Sequence, residues 1–156
     1  MKRGFYGPSR CSLCKENTES ALHIMIECRF TISLWQELLI PWNYKFAFPT
    51  VVQDLFASWI TKYPGYSPKN ITVRYAWSAL PKFISWQVWL ERNRRIFRNK
   101  EQDFRLVANA AKCQLAEWLE DKRDDTNLSQ QDIELGSALN FKFSKANSSP
   151  SPYKNW

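Results

Sequence analysis

Four residues near the start of the chain have the types and the spacing of a metal site. They are Cys11, Cys14, His23 and Cys28, in the pattern C-x2-C-x8-H-x4-C, and they include the only histidine of the sequence. A C-x2-C pair offers two thiolates from one tight turn, and the H-x4-C arm adds an imidazole and a third thiolate. Three cysteines and one histidine form one of the standard ligand sets of tetrahedral Zn²⁺. Because four protein ligands leave no position for water, the pattern predicts a structural site with one Zn²⁺ per chain.

Other chemistries remain open for parts of this pattern. Cys11 and Cys14 are spaced like a redox pair, although the strand–helix setting of thioredoxin-like motifs is not evident. The same two residues could form a disulfide in a secreted protein, but residues 1–14 contain no apolar signal-peptide core. His23 could activate a cysteine nucleophile, which would leave the clustering of three cysteines unexplained. Zinc is the interpretation that uses all four residues.

The predicted zinc site also has to stabilise the segment that contains it. Residues 1–30 have few large apolar side chains, and so short a segment rarely folds by hydrophobic burial alone. Zinc binding contributes on the order of 10–16 kcal/mol to peptides that are unfolded without metal. His23 and Cys28 are five residues apart and would point in different directions on a straight α-helix. We therefore expect any helix here to end or loosen before Cys28.

The rest of the sequence has the periodicity of amphipathic helices, with weak strand signals. Apolar spacing predicts four helices: Thr31–Leu39, ended by Pro41; Thr50–Tyr63, with Thr50 as N-cap; Ile71–Lys100, broken or kinked at Pro81; and about Glu101–Lys122. The same spacing predicts that four tryptophans are largely buried, namely Trp35, Trp59, Trp86 and Trp118. It also makes Cys113 a buried small apolar residue. The predicted fold class is mainly α.

Composition excludes several classes of protein. The 156 residues are 44% hydrophobic and 15% aromatic, which rules out a wholly disordered chain. No apolar run approaches the ~18 residues of a membrane span, so we expect no membrane partner. Because no signal-peptide core precedes the cysteines, we expect the protein inside the cell, in the nucleus or the cytoplasm. The length suits one domain with a small appendage.

Basic residues are concentrated in one stretch. The net charge is +7, and residues 73–100 carry seven basic residues against one acidic residue, which gives +6. Residues 101–135 carry four against nine, which gives −5. The candidates for phosphate contact are Arg92, Arg94, Arg95 and Arg98, with Lys82, Lys100, Arg10 and Lys15. These cations can bind phosphate only if the acidic residues of 117–125 do not fold back on them. The alternative interpretation is that they form an ordinary solvated helix face with no ligand.

Two residues beside these arginines have their own predicted roles. On a helix, Glu91 projects mainly outward and can pair with Arg95 at the i+4 position. Asn93 falls on the apolar stripe, where we expect it to satisfy a buried backbone group. Both residues lie in the segment at 89–97, which reads Trp89-Leu90-Glu91-Arg92-Asn93-Arg94-Arg95-Ile96-Phe97.

Two parts of the chain resemble a known family. The stretch from Lys2 to Cys14, then Glu19–His23, Cys28–Phe30 and Trp35, resembles the reverse-transcriptase zinc-binding domain of plant non-LTR (LINE-type) retrotransposon polyproteins. The segment at 89–97 is similar to the W-x-E-R-N-x-R-x-F segment that commonly follows this domain. The matches bracket about residues 2–98. The resemblance implies that Cys11, Cys14, His23 and Cys28 are the zinc ligands. It also implies association with RNA or DNA, close to the reverse transcriptase or other polyprotein segments.

The sequence departs from the catalytic parts of such polyproteins. The pair Asp124-Asp125 lies in a polar stretch rather than in a polymerase-type strand hairpin, and no endonuclease or RNase H carboxylate pattern is visible. We therefore expect a non-enzymatic zinc-binding module that associates with RNA or DNA. A scaffold whose zinc only stabilises the fold and a functionless retroelement relic are the alternatives. The predicted organisation is a zinc knuckle at 1–36, a helical domain at 37–122 and a largely disordered tail at 123–156.

Overall fold

Helices make up the regular structure of the described chain. The computed structural model describes residues 10–45, 47–59 and 68–144. Five α-helices lie in these ranges: α1 (Arg29–Leu39), α2 (Val52–Ala57), α3 (Ile71–Arg98), α4 (Phe104–Glu120) and α5 (Gln130–Ala138). The β-type pairing in the same ranges is limited to an isolated bridge between Arg10 and Thr18. The mainly α prediction is therefore confirmed.

Helix α1 lies close to its predicted range, whereas α2 ends at Ala57, six residues before the predicted end, and the predicted N-cap of α2 is wrong. Helix α1 ends at Leu39 and continues into a 3-10 turn, Ile40–Trp42, that contains Pro41. Helix α2 is capped by Val51 in an extended conformation, with no side-chain hydrogen bond, so Thr50 is not the N-cap. The last four residues of the predicted helix, 60–63, lie outside the described residues.

Helix α3 runs without interruption through Pro81, where the sequence predicted a break or kink. Proline has no N–H group, so it frees the carbonyl of the residue four positions earlier, which is Trp77. The indole N–H of Trp59 donates to that carbonyl at 2.7 Å. The side chain of Asn70 caps the start of the helix by accepting from the Val73 N–H at 3.1 Å. A freed carbonyl that finds a buried donor removes one reason for the helix to break at Pro81.

The segment from Arg123 to Ser144 is structured, whereas the sequence predicted a largely disordered tail from Arg123 onward. Helix α5 begins with a capping box, in which Ser129 and Asp132 bond each other's backbone N–H groups. Leu135, Leu139 and Phe141 are buried. The prediction was wrong for this part because polar residues hid a short apolar face that docks on the core. Residues 145–156 lie outside the described residues.

The two predicted modules share one hydrophobic core. The core includes Cys11, Cys14 and Cys28 together with the buried residues of α1, α3 and α4. Helix α3 packs along α4, and α1 packs on α4. Helix α1 itself crosses the predicted boundary between residues 36 and 37. None of the described helices is long and apolar enough to cross a membrane.

Tryptophan rings fill the centre of the helical part. Trp59 stacks on Trp77 with ring centroids 4.3 Å apart, and Trp35 and Trp42 each contact this pair. Trp35 and Trp59 are buried as predicted, and Trp118 is partly buried.

Two burial predictions are wrong. Trp86 is 52% exposed, and Cys113 is also exposed. Helix α3 has apolar residues on all sides, so its periodicity did not reveal which side faces the core. The buried side includes Trp77, Leu80, Ile84 and Val88, and Trp86 lies away from it.

Candidate metal centre

The four predicted ligands converge on one point. Their ligand atoms all lie within 4.8 Å of one another, and all four residues are buried. The sulfurs of Cys11 and Cys28 are 3.8 Å apart, and the sulfur of Cys14 is 3.3 Å from Nε2 of His23. Two sulfurs bound to one tetrahedral ion at ~2.3 Å would be about 3.8 Å apart. We call these four residues the Cys/His cluster; they could hold a metal ion.

The C-x2-C turn is closed by backbone hydrogen bonds. The N–H of Lys15 donates to the Cys11 carbonyl at 2.8 Å, and the N–H of Cys11 donates to the Asn17 carbonyl at 2.7 Å. Lys15 has a φ of 61°, in the left-handed region that lets the chain reverse. The bridge between Arg10 and Thr18 joins the two ends of this turn. The turn therefore presents both thiols on the same side.

A π-helical turn brings His23 and Cys28 together. Residues His23–Glu27 form this turn, and the N–H of Cys28 donates to the His23 carbonyl at 2.6 Å. An i→i+5 hydrogen bond closes a wider turn than an α-helix does, so residues five apart come into line. Cys28 itself is extended, with φ −63° and ψ 129°, and α1 begins at the next residue. The expectation that the helix loosens before Cys28 is confirmed.

The thiols of the Cys/His cluster ionise unequally. Burial opposes ionisation of Cys14, but the backbone N–H groups of Glu16 and Asn17 and the neighbouring His23 lower its pKa to about 6. Burial, together with repulsion from Cys11 and Cys14, raises the pKa of Cys28 to about 12. A bound cation would favour the thiolate form of all three cysteines, because coordination deprotonates a thiol.

Arg95 is buried against the metal-binding turn, although the sequence predicted it as a phosphate contact. Its guanidinium donates to the carbonyls of Ser12 and Leu13, both at 2.9 Å, and these are the two residues between Cys11 and Cys14. Its side chain is only 8% exposed. Arg95 therefore helps to build the site and is not part of an open cationic face.

Glu91 is fully buried, so the prediction that it projects outward is wrong, whereas its predicted i+4 pairing with Arg95 is present. One carboxylate oxygen accepts from Arg95 at 2.9 Å and from the Gln102 N–H at 2.7 Å. The other accepts from Arg94. Within the described residues, Asn93 accepts a hydrogen bond from Arg92 at 3.3 Å and makes none with the backbone group that the sequence predicted. The pairing of Glu91 with Arg95 follows from their spacing. The burial of Glu91 could not be predicted in this way, because it depends on α4 and the N-terminal segment, which pack over this part of α3.

The remaining predicted phosphate contacts divide into paired and exposed residues. Arg92 donates to Glu19 at 2.8 and 2.6 Å, with both side chains mostly buried. Lys15 pairs with Glu101 at 2.5 Å on the surface. The exposed ones are Arg10, Lys82, Arg98 and Lys100.

The acidic stretch pairs elsewhere in the described chain. Arg123 binds Glu120 and Asp125, and the ion pairs of Arg92, Arg94 and Arg95 are made with Glu19 and Glu91. These α3 arginines are therefore neutralised by Glu19 and Glu91 and not by the acidic residues of 117–125. Three of the four predicted arginines already have carboxylate partners.

Comparisons of the chain with protein-family models, with curated proteins and with solved structures found no match.

Proposed function

We propose that this chain is a non-catalytic zinc-binding module that associates with RNA or DNA, of the type found in reverse-transcriptase polyproteins of plant LINE-type retrotransposons. The convergence of four buried N and S ligands carries the proposal. Three thiolates and one imidazole are soft ligands that suit Zn²⁺. All four tetrahedral positions are taken by protein, so the ion would stabilise the fold and not activate water.

Metal analysis tests the zinc part directly. We expect one Zn²⁺ per purified chain, and a Co²⁺-substituted protein with the absorption of a tetrahedral sulfur-ligated site. Removal of the metal by a chelator should unfold residues 10–28 first, because they depend most on the ion. A chain that folds normally and binds no stoichiometric metal would contradict this proposal.

The exposed side of α3 supports the nucleic-acid part. Trp86 is 52% and Trp89 44% exposed, and Lys82 is exposed one turn before Trp86. Residues three or four apart lie on the same side of a helix, so these three form one surface. The single carboxylate of α3, Glu91, is buried away from that surface. Exposed aromatic rings beside cations are what single-stranded nucleic acids bind, by stacking and phosphate contact.

An open cleft beside Trp86 extends this surface. It has a volume of about 550 Å³ and is lined by Phe56, Phe83, Trp118 and Lys82 among others. Arg98 and Lys100 add exposed cations where α3 ends. We therefore propose a single strand, rather than a duplex, as the bound form. Because its proposed ligands are RNA and DNA, we place its action in the nucleus or the cytoplasm.

Anisotropy titrations with a labelled single strand and with the matching duplex test this proposal across a range of salt. We expect tighter binding of the single strand, weakened by Trp86→Ala with Trp89→Ala. Leu106→Ala, an exposed apolar residue of α4, is the control and should bind as the parent chain does. Lys82→Ala with Lys100→Ala should flatten the salt slope by up to about 1.4 units. The matched pair Lys45→Ala with Lys142→Ala, outside α3, should leave the slope unchanged.

Absence of binding by a zinc-loaded, folded chain would remove the nucleic-acid part. The scaffold interpretation would then replace it, with the zinc part intact.

A further inference from the structure

The ligand types of the Cys/His cluster do not explain why Arg95 is buried beside it. Its guanidinium makes four hydrogen bonds: to the carbonyls of Ser12 and Leu13, to the Gln102 carbonyl at 3.1 Å and to Glu91. It also lies 4.9 Å from the ring centroid of Phe30, which is two residues after Cys28. One side chain of α3 therefore contacts both segments that supply the cysteines.

A second arginine of α3 contacts the segment that supplies the histidine. Arg92 binds Glu19, which precedes Ser20, and the hydroxyl of Ser20 accepts the His23 N–H at 3.0 Å. The charged residues of the segment at 89–97 thus bind the metal-binding region from two sides. This gives a physical role to a segment that sequence reasoning assigned to phosphate binding.

We propose that Arg95, oriented by Glu91, is a positioning residue that holds the C-x2-C turn in its metal-binding shape. This role rests on the proposed metal binding, and it makes Arg95 one of the residues that set the affinity for the ion. The carbonyls of Ser12 and Leu13 lie between the two thiolates of the turn, so fixing them fixes the directions in which both sulfurs point. A site ordered before the ion arrives binds it more tightly, because less conformational entropy is lost on binding.

The geometry requires arginine at this position. A planar guanidinium can donate to three carbonyls and one carboxylate in fixed directions, whereas an ammonium is a single point with three donors. Glu91 keeps that plane in place, and its own burial is compensated by Arg94, Arg95 and the Gln102 N–H. The coupling must also work in reverse, because a change in binding free energy between two linked sites is reciprocal. Metal binding should therefore stabilise the connection between α3 and α4 at Gln102.

Replacement of Arg95 by lysine tests the proposal. Arg95→Lys keeps the charge beside Glu91, and Arg105→Lys is the matched control, since the side chain of Arg105 in α4 is 71% exposed. Zn²⁺ affinity is measured by competition with a chelating dye, helix content by circular dichroism and ligand geometry by the Co²⁺ spectrum. We expect Arg95→Lys to bind one ion with unchanged Co²⁺ bands but about 10- to 100-fold more weakly, the usual loss for partners that orient ligands. Arg105→Lys should bind Zn²⁺ as tightly as the parent chain does.

Hydrogen exchange on the parent chain gives a second test that needs no variant. The Gln102 amide donates to Glu91, so we expect its exchange to slow on Zn²⁺ binding. The amide of Val107, which starts α4 with a bond to the Asp103 carbonyl, is the internal reference. Its exchange should change less than that of Gln102.

The outcomes separate this inference from the proposed function. If the parent chain bound no Zn²⁺, both would be wrong. If the parent chain bound Zn²⁺ and Arg95→Lys bound it equally well, only the positioning role would be wrong. If Arg95→Lys lost helix content, its Zn²⁺ affinity would not be informative, and hydrogen exchange of the Gln102 amide in the parent chain would be the deciding test. Exchange that Zn²⁺ did not change would overturn the role of Arg95.

Discussion

The metal-binding region and the tryptophan core are held together by different forces. Around the Cys/His cluster, polar contacts supplement the few apolar side chains of the segment: Arg95 binds two carbonyls of the turn, and Arg92 binds Glu19. Around Trp59 the contacts are aromatic, with the Trp77 ring stacked at 4.3 Å. Polar contacts specify geometry but contribute little net free energy each, whereas buried aromatic area contributes much. We therefore expect the first region to depend on a bound ion for its stability, and the second region not to.

Loss of one ligand should have the largest effect. Cys28→Ser removes a fully buried ligand, and we expect stoichiometric Zn²⁺ binding to be lost and residues 10–28 to exchange their amides rapidly. Zinc contributes on the order of 10 kcal/mol in small domains, more than the polar contacts of this region can replace. Metal analysis and hydrogen exchange measure both effects.

Cys113→Ser is the control, because that cysteine is exposed and belongs to α4. Cooperative unfolding of the whole chain by Cys28→Ser would show that the two regions unfold as one unit, and that the tryptophan core also depends on the ion.

Truncation of a core tryptophan should have the next largest effect. Trp59→Ala removes the stack on Trp77 and the hydrogen bond to the carbonyl freed by Pro81, and should cost about 3–5 kcal/mol of unfolding free energy. Trp86→Ala, at a half-exposed position of α3, should cost a small fraction of that. Urea unfolding of the zinc-loaded protein measures both. Equal losses would mean that Trp86 is covered in solution.

The start of α5 should contribute less. Ser129→Ala removes one half of the capping box and should lower the unfolding free energy by about 1 kcal/mol. Ser137→Ala, exposed in the same helix, is the matched control. An unchanged midpoint for Ser129→Ala in urea would mean that α5 contributes nothing to the stability of the chain.

The smallest effect should come from the surface pair that joins the turn to the α3–α4 connection. The Lys15 ammonium lowers the pKa of Glu101 below its ordinary value of 4.5. A carboxyl with a lowered folded-state pKa stabilises the protein above its ordinary pKa, and that contribution is lost as the pH falls through the folded-state value. In an NMR titration, Lys15→Ala should return the Glu101 pKa toward 4.5, whereas Lys45→Ala should not. No shift with Lys15→Ala would mean that the pair does not form in solution.

The difference between the two regions also explains which predictions from sequence succeeded. Spacing along the chain is a local property, so the clustering of Cys11, Cys14, His23 and Cys28 could be predicted from their types and separations alone, as could the loosened turn before Cys28. Helix existence was similarly local, and α1, α3 and α4 lie within a few residues of the predicted ranges. Burial on α3 was not local, because its apolar residues surround the whole helix and only its neighbours decide which side is covered.

The sequence by itself determined which four residues form the Cys/His cluster and the helical class of the fold, because both follow from spacing along the chain. Only the tertiary structure decided what the charged segment at 89–97 does. Glu91 and Arg95 are four residues apart whether they lie in water or in the core, and the spacing predicts their pairing in either case. Their burial against Ser12, Leu13 and Gln102 requires residues about ten and about eighty positions away to fold onto α3. Through that packing Arg95 supports the turn of the Cys/His cluster instead of lying on an open basic face, since a buried guanidinium binds the carbonyls that surround it.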